Sequence, residues 1–330
     1  MNRLFLFVAA LALFAPATAR AIDCAKAASP TEKLICANPQ LMQLDAVLNK
    51  DYPAYAAKQG KDAALKSQAD WLAKTRDACA DVACLEAAYK KRIGELSGAT
   101  EIFVYRHVAP EWDVIVSFSP GACDSDEWDE CGAAAVDVFT KDSGDLFQRI
   151  ETEKFNTNGR VVANDFNFDG HNDLALCTSV GSGGSSESQE WSYDIYLYDT
   201  DQRKFVRSKE FTDISDAKVF SAAETKNKTL ANMEMDGRPV LFIDAKNKTL
   251  TRYENFRRGL GNDGHEHHAR TWRTYQVRGN IPVLVRDVDE DTTVGCGDDG
   301  DCDGNPVVTT TKTLVDGKWQ VTTKRRVAKE

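Results

Sequence analysis

The chain has 330 residues, of which 42% are hydrophobic and 28% charged, and a formal net charge of −10. That apolar fraction can supply a buried core and excludes a wholly disordered chain, while the acidic balance argues against nucleic acid and anionic membrane surfaces as partners. There are nine cysteines and no C-x-x-C pair, a pattern that reads as disulfides before metal ligands.

In chain order, residues 1–21 read as a cleavable secretory signal. Arg3 gives the positive start, Leu4 to Phe14 the apolar run, and Ala19 and Ala21 the small residues that precede the cut. The run falls short of the ~20 residues that a membrane helix needs. Cleavage after Ala21 starts the mature chain near Ile22 and removes Arg3 and Arg20, so the balance moves from −10 to −10 − 2 = −12. The expected location is the periplasm, or beyond it. Ala21-Ile22-Asp23 lacks the small residues that lipoprotein processing requires before a cysteine, so no membrane anchor is expected and Cys24 reads as a disulfide partner.

Residues 22–97 carry a helical pattern from about Pro39 to Leu96. Leu41, Leu44, Leu48 and Tyr52 recur at three and four residues, as do Leu65, Gln68, Leu72 and Thr75, with Pro53 expected to interrupt the first run. A third helix is expected after Cys84, with Leu85, Tyr89, Ile93 and Leu96 on one face and an end at Ser97-Gly98. A unit of this size buries a thin core, and disulfides among Cys24, Cys36, Cys79 and Cys84 would supply stability; four cysteines allow three pairings, which the spacing leaves open.

Residues 98–330 change to short β-type runs divided by Gly, Asp and Asn: Ile102 to Tyr105, Val114 to Phe118, Ala135 to Phe139, Leu174 to Thr178 and Tyr193 to Tyr198. Further runs lie at Phe205, Val240 to Ile243, Trp272 to Val277 and Val283 to Val285. The fold class expected is therefore α then β: a small disulfide-stapled helical domain, then an antiparallel all-β domain that is barrel-, sandwich- or propeller-like. Cys123 with Cys131 and Cys296 with Cys302 would close short loops, and Cys177 reads as a buried small hydrophobe. The segments from Lys226 to Leu230 and from Lys246 to Leu250 are identical and read as two hairpin turns.

The most specific chemical motif runs from Asp165 to Asp173. Asp165, Asn167, Asp169 and Asp173 place hard oxygen donors at positions 1, 3, 5 and 9, with the backbone carbonyl of His171 expected at position 7 and Gly170 permitting the sharp turn. Such a set suits a structural Ca²⁺. It is not an EF-hand, because Leu176 stands where the bidentate Glu belongs and the flanks read as strands. A second acidic run, Asp299 to Gly304, encloses Cys302 and reads as a disulfide-closed turn.

Two resemblances are carried by these residues. Asp23-Cys24, Glu32-Lys33, Ile35-Cys36, Leu44-Asp45, Tyr52, Gln68, Trp71-Leu72, Arg76-Asp77-Ala78-Cys79, Cys84-Leu85, Ala88-Tyr89 and Arg92-Ile93 resemble the lysozyme-inhibitor family LprI over residues 23–96. The stretch from Val161 through the Asp-rich loop, then Tyr193 to Asp199, Phe242 to Leu250, Thr274-Tyr275 and Val283 to Val285, is similar to FG-GAP-like, calcium-binding vestigial β-propellers. Periplasmic immunity proteins of Xanthomonas that block a peptidoglycan hydrolase are of that kind. The resemblances imply a periplasmic inhibitor or immunity protein whose partner is lysozyme or another peptidoglycan hydrolase, and they point to Arg273, Tyr275 and Arg278 as candidate partner contacts.

Alternatives from other classes are a calcium-dependent envelope-binding module without inhibition and a peptidoglycan hydrolase. The enzyme reading is the weaker. His265 and His267 would share one face of a strand, but no third zinc ligand is identifiable beside them, and the run from His265 to His268 is not H-E-x-x-H. A glycosidase pair could be drawn from among Glu111, Asp113 and Glu127, although spacing in sequence does not give the ~5–9 Å separation needed. No catalytic residue is assigned.

Overall fold

The structure, a computed structural model, describes residues 22–121, 131–157, 160–182, 189–215, 217–219, 240–260, 266–294 and 306–327. The signal-like segment therefore lies outside the described residues, as do Cys123, Cys296, Cys302, the first Lys-Asn-Lys-Thr-Leu copy and the second acidic run. The chain divides into two compact units at Ser97/Gly98.

The first unit is helical. A 3₁₀ turn, Cys24–Lys26, leads to α1 (Pro30–Cys36), α2 (Pro39–Gln59), α3 (Lys61–Trp71), a π turn over Leu72–Arg76, and α4 (Val82–Ser97). Local chemistry sets the starts. Ser29 and Glu32 form a reciprocal capping box at α1 with Pro30 in its first turn, and the Asn38 side chain accepts the amides of Gln40 and Leu41 at the head of α2. Ile35, Leu41, Leu44, Leu85, Tyr89 and Ile93 have no exposed surface, and side chains of this size contribute about 1.5–3 kcal/mol each when fully buried. The pairing that spacing left open is Cys24 with Cys36 and Cys79 with Cys84. Each closes a short loop against a helix end, which suits a core too thin to fix its own edges.

Two local expectations are corrected. Pro53 does not interrupt α2: the helix passes through it, because Pro53 lies on the exposed side, where water can satisfy the carbonyl whose amide partner is missing. Leu65 is 52% exposed, and α3 buries Ala64 and Trp71 instead. The buried face of α3 lies one residue out of phase with the expected one, since it is defined by the small Ala64 and the large Trp71.

The second unit is β-rich. One four-stranded sheet holds β1 (Glu101–Tyr105), β2 (Trp112–Pro120), β3 (Cys131–Thr140) and β4 (Leu146–Asn156) in that order. A second holds β5 (Val161–Asn164), β6 (Asp173–Ser182), β7 (Gln189–Asp199) and β8 (Lys204–Ser208). After α5 (Lys209–Thr212), the third comprises β9 (Lys218–Val219), β10 (Val240–Asp244), β11 (Thr249–Leu260), β12 (Glu266–Arg278), β13 (Ile281–Val294), β14 (Pro306–Val315) and β15 (Lys318–Val327), in sequence order. All pairings are antiparallel except the short parallel pair β9 with β10, and none closes a barrel among the described residues.

The middle sheet is buried on both faces, and its residues sort by strand alternation. Val161, Ala163, Leu174, Leu176 and Tyr196 pack in a core with Trp112, Val114, Val136 and Phe155 of the first sheet. Their neighbours Val162, Ala175, Cys177, Ile195 and Leu197 face Phe211, Leu241, Ile243 and Leu250 on the other side. Cys177 is thus a buried thiol in the second core. Cys131 is disulfide-bonded at the start of β3, and Cys123 lies outside the described residues. Among the described residues no helix is long and apolar enough to cross a membrane.

Candidate functional site

The Asp-rich motif forms the turn between β5 and β6, and its alternation explains its shape. Phe166 is fully buried in the second core and Phe168 packs against it, so the intervening Asp165, Asn167 and Asp169 are held on the other side of the turn. The backbone bends through positive φ at Phe168 (60°) and Gly170 (94°), and at Gly170 the missing Cβ makes that conformation cheap.

Side chains fold the loop onto itself. Asp165 accepts the amides of Asp169 at 3.0 Å and Gly170 at 2.9 Å, and Asp169 accepts that of His171 at 2.8 Å. Asn167 accepts the Asp169 amide at 3.2 Å and donates its own NH₂ to Asp169 at 2.8 Å. The bonds from Asn167 to the Asp169 amide and from Asp169 to the His171 amide are Asx turns, and with the longer reach of Asp165 they are the local bonds by which short polar side chains fix irregular backbone. Burial, and then the charge of Asp169, raise the Asp165 carboxyl above its ordinary range, against the pull of the loop amides.

Asp173 is turned inward and has no exposed surface. One oxygen accepts the amide of Phe166 at 2.9 Å and the other that of Tyr198 at 2.7 Å, so it ties the loop to β7. Burial pushes its carboxyl up to about 8 despite those two amides, and the charges of Asp169 and Asp165 push the same way. Among the described residues no three His, Cys, Asp or Glu side chains are grouped so as to hold a metal. The donor chemistry does fit a hard cation: Asp165, Asn167, Asp169 and the His171 carbonyl offer oxygens from one turn, and the two carboxylates there repel each other.

Three hairpin turns from other parts of the unit meet this loop. Asn167 donates to Asn280, in the turn between β12 and β13, at 3.1 Å. Lys248, in the turn between β10 and β11, donates to the Phe168 carbonyl at 3.4 Å. Asn172 donates to Glu111, between β1 and β2, at 2.9 Å. Sequence reading missed Lys248, Asn172 and Asn280 as partners of the loop. The Gly279-Asn280 pair does signal a tight turn, but no local feature tells which turn will meet which.

The remaining candidates are dispersed. Arg273 lies 3.4 Å from Glu254 and 3.9 Å from Asp287, and so is engaged within the sheet. Tyr275 packs against the second core, where burial raises its phenol. Arg278 is exposed at the end of β12, beside the Asn280 turn. His267 bonds Asp291 at 2.9 Å, and His268 follows it on the strand and so points to the opposite face; His265 lies outside the described residues. Glu111 is taken by Asn172, buried Asp113 accepts the His107 amide at 2.8 Å, and Glu127 lies outside the described residues.

In the helical unit, several residues that carry the family resemblance form one interior network. Trp71 and Tyr89 pack edge to face with centroids 5.4 Å apart, and Tyr89 donates to Asp45 at 2.9 Å. Arg92 bonds Gln68 and Ser67 and lies over the rings of Tyr55 and Trp71. Each of these contacts is a packing or bracing contact. No family model, no curated protein and no solved structure matches the chain.

Proposed function

We propose that the chain is an exported inhibitor of lysozyme-like peptidoglycan hydrolases, whose β unit offers a binding edge held in shape by calcium. The observation that carries this reading is the bond from Asn167 to Asn280, which joins the Asp-rich loop to the β12–β13 turn. Beside that turn stand exposed Arg278 and Ile281, the latter 55% exposed. A cationic side chain next to an apolar one suits the cleft of an enzyme that works with a pair of carboxylates, and Arg is a frequent interface anchor. The acidic balance of the chain would speed encounter with cationic lysozymes and make it sensitive to salt.

Asp165, Asn167, Asp169 and the His171 carbonyl would hold the ion. Asp173, the ninth-position donor of the sequence pattern, is instead turned inward onto the amides of Phe166 and Tyr198. The calcium would stiffen the loop and, through Asn167, the turn that carries Arg278.

The test is inhibition of a panel of lysozymes and secreted muramidases by the chain from Ile22 onward, with calcium and with chelator. Inhibition is expected with calcium, and Arg278→Ala combined with Ile281→Ala should weaken it by at least roughly tenfold. Full activity of every enzyme in the panel would overturn the reading. The second reading, envelope binding without inhibition, is favoured by Trp319, an aromatic side chain 45% exposed on the edge strand β15 and able to stack on a sugar ring. Calcium-dependent pull-down on peptidoglycan sacculi, with the panel unaffected, would support that reading instead.

A further inference from the structure

The best-built polar site in the helical unit surrounds Asp45, a carboxylate only 6% exposed on α2. Its Oδ1 accepts the Tyr89 hydroxyl from α4 at 2.9 Å, and its Oδ2 accepts the Asn49 amide at 3.0 Å. The same Oδ2 accepts the backbone nitrogen of Ile22 at 2.8 Å, across 23 residues of sequence. Ile22 is the residue that export processing after Ala21 would leave first.

We infer that Asp45 is the receptor for the α-ammonium group of the processed chain, so that removal of the leader completes a partly buried ion pair between the Ile22 nitrogen and the Asp45 carboxylate. The inference rests on the export reading above. A leader peptidase hydrolyses the Ala21–Ile22 amide: the hydroxyl of water goes to the Ala21 carbonyl carbon, and its proton goes to the departing Ile22 nitrogen. At neutral pH a further proton from solvent makes that nitrogen an ammonium. The contact then changes from a neutral amide donor to a full positive charge against a carboxylate, a stronger class of hydrogen bond.

The surroundings make that charge valuable. Burial is the largest influence on the Asp45 carboxyl and raises it, and the bonds from Ile22, Tyr89 and Asn49 only partly offset this. Arg76, in the π turn, pairs with Asp77 and reaches Asp45 through space. Asp23, next to Ile22, is paired with Lys26 in the open. A cation arriving at Ile22 is therefore the one new charge that can sit directly on the buried carboxylate. The Cys24–Cys36 disulfide, two residues on, anchors the terminus against α1.

The experiment compares two forms of the chain through Glu330, one beginning at Ile22, freed from a fusion by a protease that leaves no scar, and one carrying Gly-Ser before Ile22. Unfolding of the helical unit is followed by far-ultraviolet circular dichroism. The native start should lower the unfolding constant by roughly tenfold or more at pH 7, and the advantage should fade as pH rises past the ordinary α-amine range of about 8. In Asp45→Asn chains the two starts should unfold alike. Should that variant not fold, amine-directed acylation read by mass spectrometry replaces it: the Ile22 α-amine of the unmutated chain should react more slowly than in denatured chain and titrate above about 8. Equal unfolding of the two unmutated forms, or an α-amine as reactive as in denatured chain, would overturn the inference. The export reading is tested separately by the mass of the N-terminal peptide recovered from a bacterial periplasm: a chain that keeps residues 1–21 would overturn that reading while the purified forms still report on the pair, and a processed start at any residue but Ile22 would overturn the inference itself.

Discussion

The side-chain amide of Asn167 donates to the side-chain oxygen of Asn280 across 113 residues of sequence, at 3.1 Å. That single bond joins the turn of the middle sheet to a hairpin turn of the third. Because Asn167 also bridges to Asp169, order in the acidic loop and order in the β12–β13 turn are coupled.

Calcium should therefore act on the stability of the β unit. At a concentration roughly a hundredfold above its Kd, it should raise the melting temperature of that unit by about 5–10 °C over the chelated form. Asp169→Ala should remove the difference. Scanning calorimetry with and without chelator checks this, and coincident curves for the unmutated chain would count against the site.

Tyr89 gives the helical unit a pH dependence on the alkaline side. Burial, and then the charge of Asp45, hold its phenol well above 10, with Arg76 pulling weakly the other way. A group raised in the folded state stabilises fully below its unfolded value, and that contribution is lost as pH climbs from about 10 towards the folded value. The helical unit should lose stability above pH ~10, and Tyr89→Phe should flatten that decline. The same substitution should cost about 1.5–3 kcal/mol at neutral pH, since Asp45 loses a donor. Urea titrations at stepped pH measure both effects.

Asp137 on β3 has no exposed surface, and Arg149 on β4 meets it with two bonds, at 2.8 Å and 2.7 Å. Arg149→Met should cost about 3–5 kcal/mol, because it removes two charge-assisted bonds and a positive charge from beside a buried carboxylate. Replacing both members by apolar residues of similar volume should recover most of that loss. Chemical denaturation of the three proteins decides it, and a double variant no more stable than the single would contradict the argument.

Gly132 is a position of close approach. A Cβ there would stand 2.1 Å from the Ser119 carbonyl oxygen and 2.8 Å from the Gly121 nitrogen, both of them backbone. Gly132→Ala should destabilise the β unit by about 1–3 kcal/mol or more, and a thermal shift assay against the unmutated chain should show it. An unchanged melting point would mean that the end of β2 at Ser119 to Gly121 moves at little cost.

What the residues determined by themselves was whatever repeats or bonds locally. The face of α4 through Leu85, Tyr89, Ile93 and Leu96 followed from helical period, and all four are buried. The runs at β1, β2, β3, β6, β7, β10, β12 and β13 followed from β-type composition between turn residues. The sharp turn from Asp165 to Gly170 followed from residue type at fixed spacing, because the bonds that Asp165 and Asp169 accept there reach only two to five residues along the chain. Strands β4 and β15 were harder to read, since their polar and charged side chains alternate without a fully apolar face. Tertiary structure alone decided the rest: the two disulfide pairs, the exposure of Leu65, the inward turn of Asp173 onto Phe166 and Tyr198, the meeting of Asn167 with Asn280, and the contact of Ile22 with Asp45. These join residues whose neighbourhood is set by how sheets and helices pack. Packing is a sum over distant contacts, and that sum leaves no period or spacing in the chain that makes it.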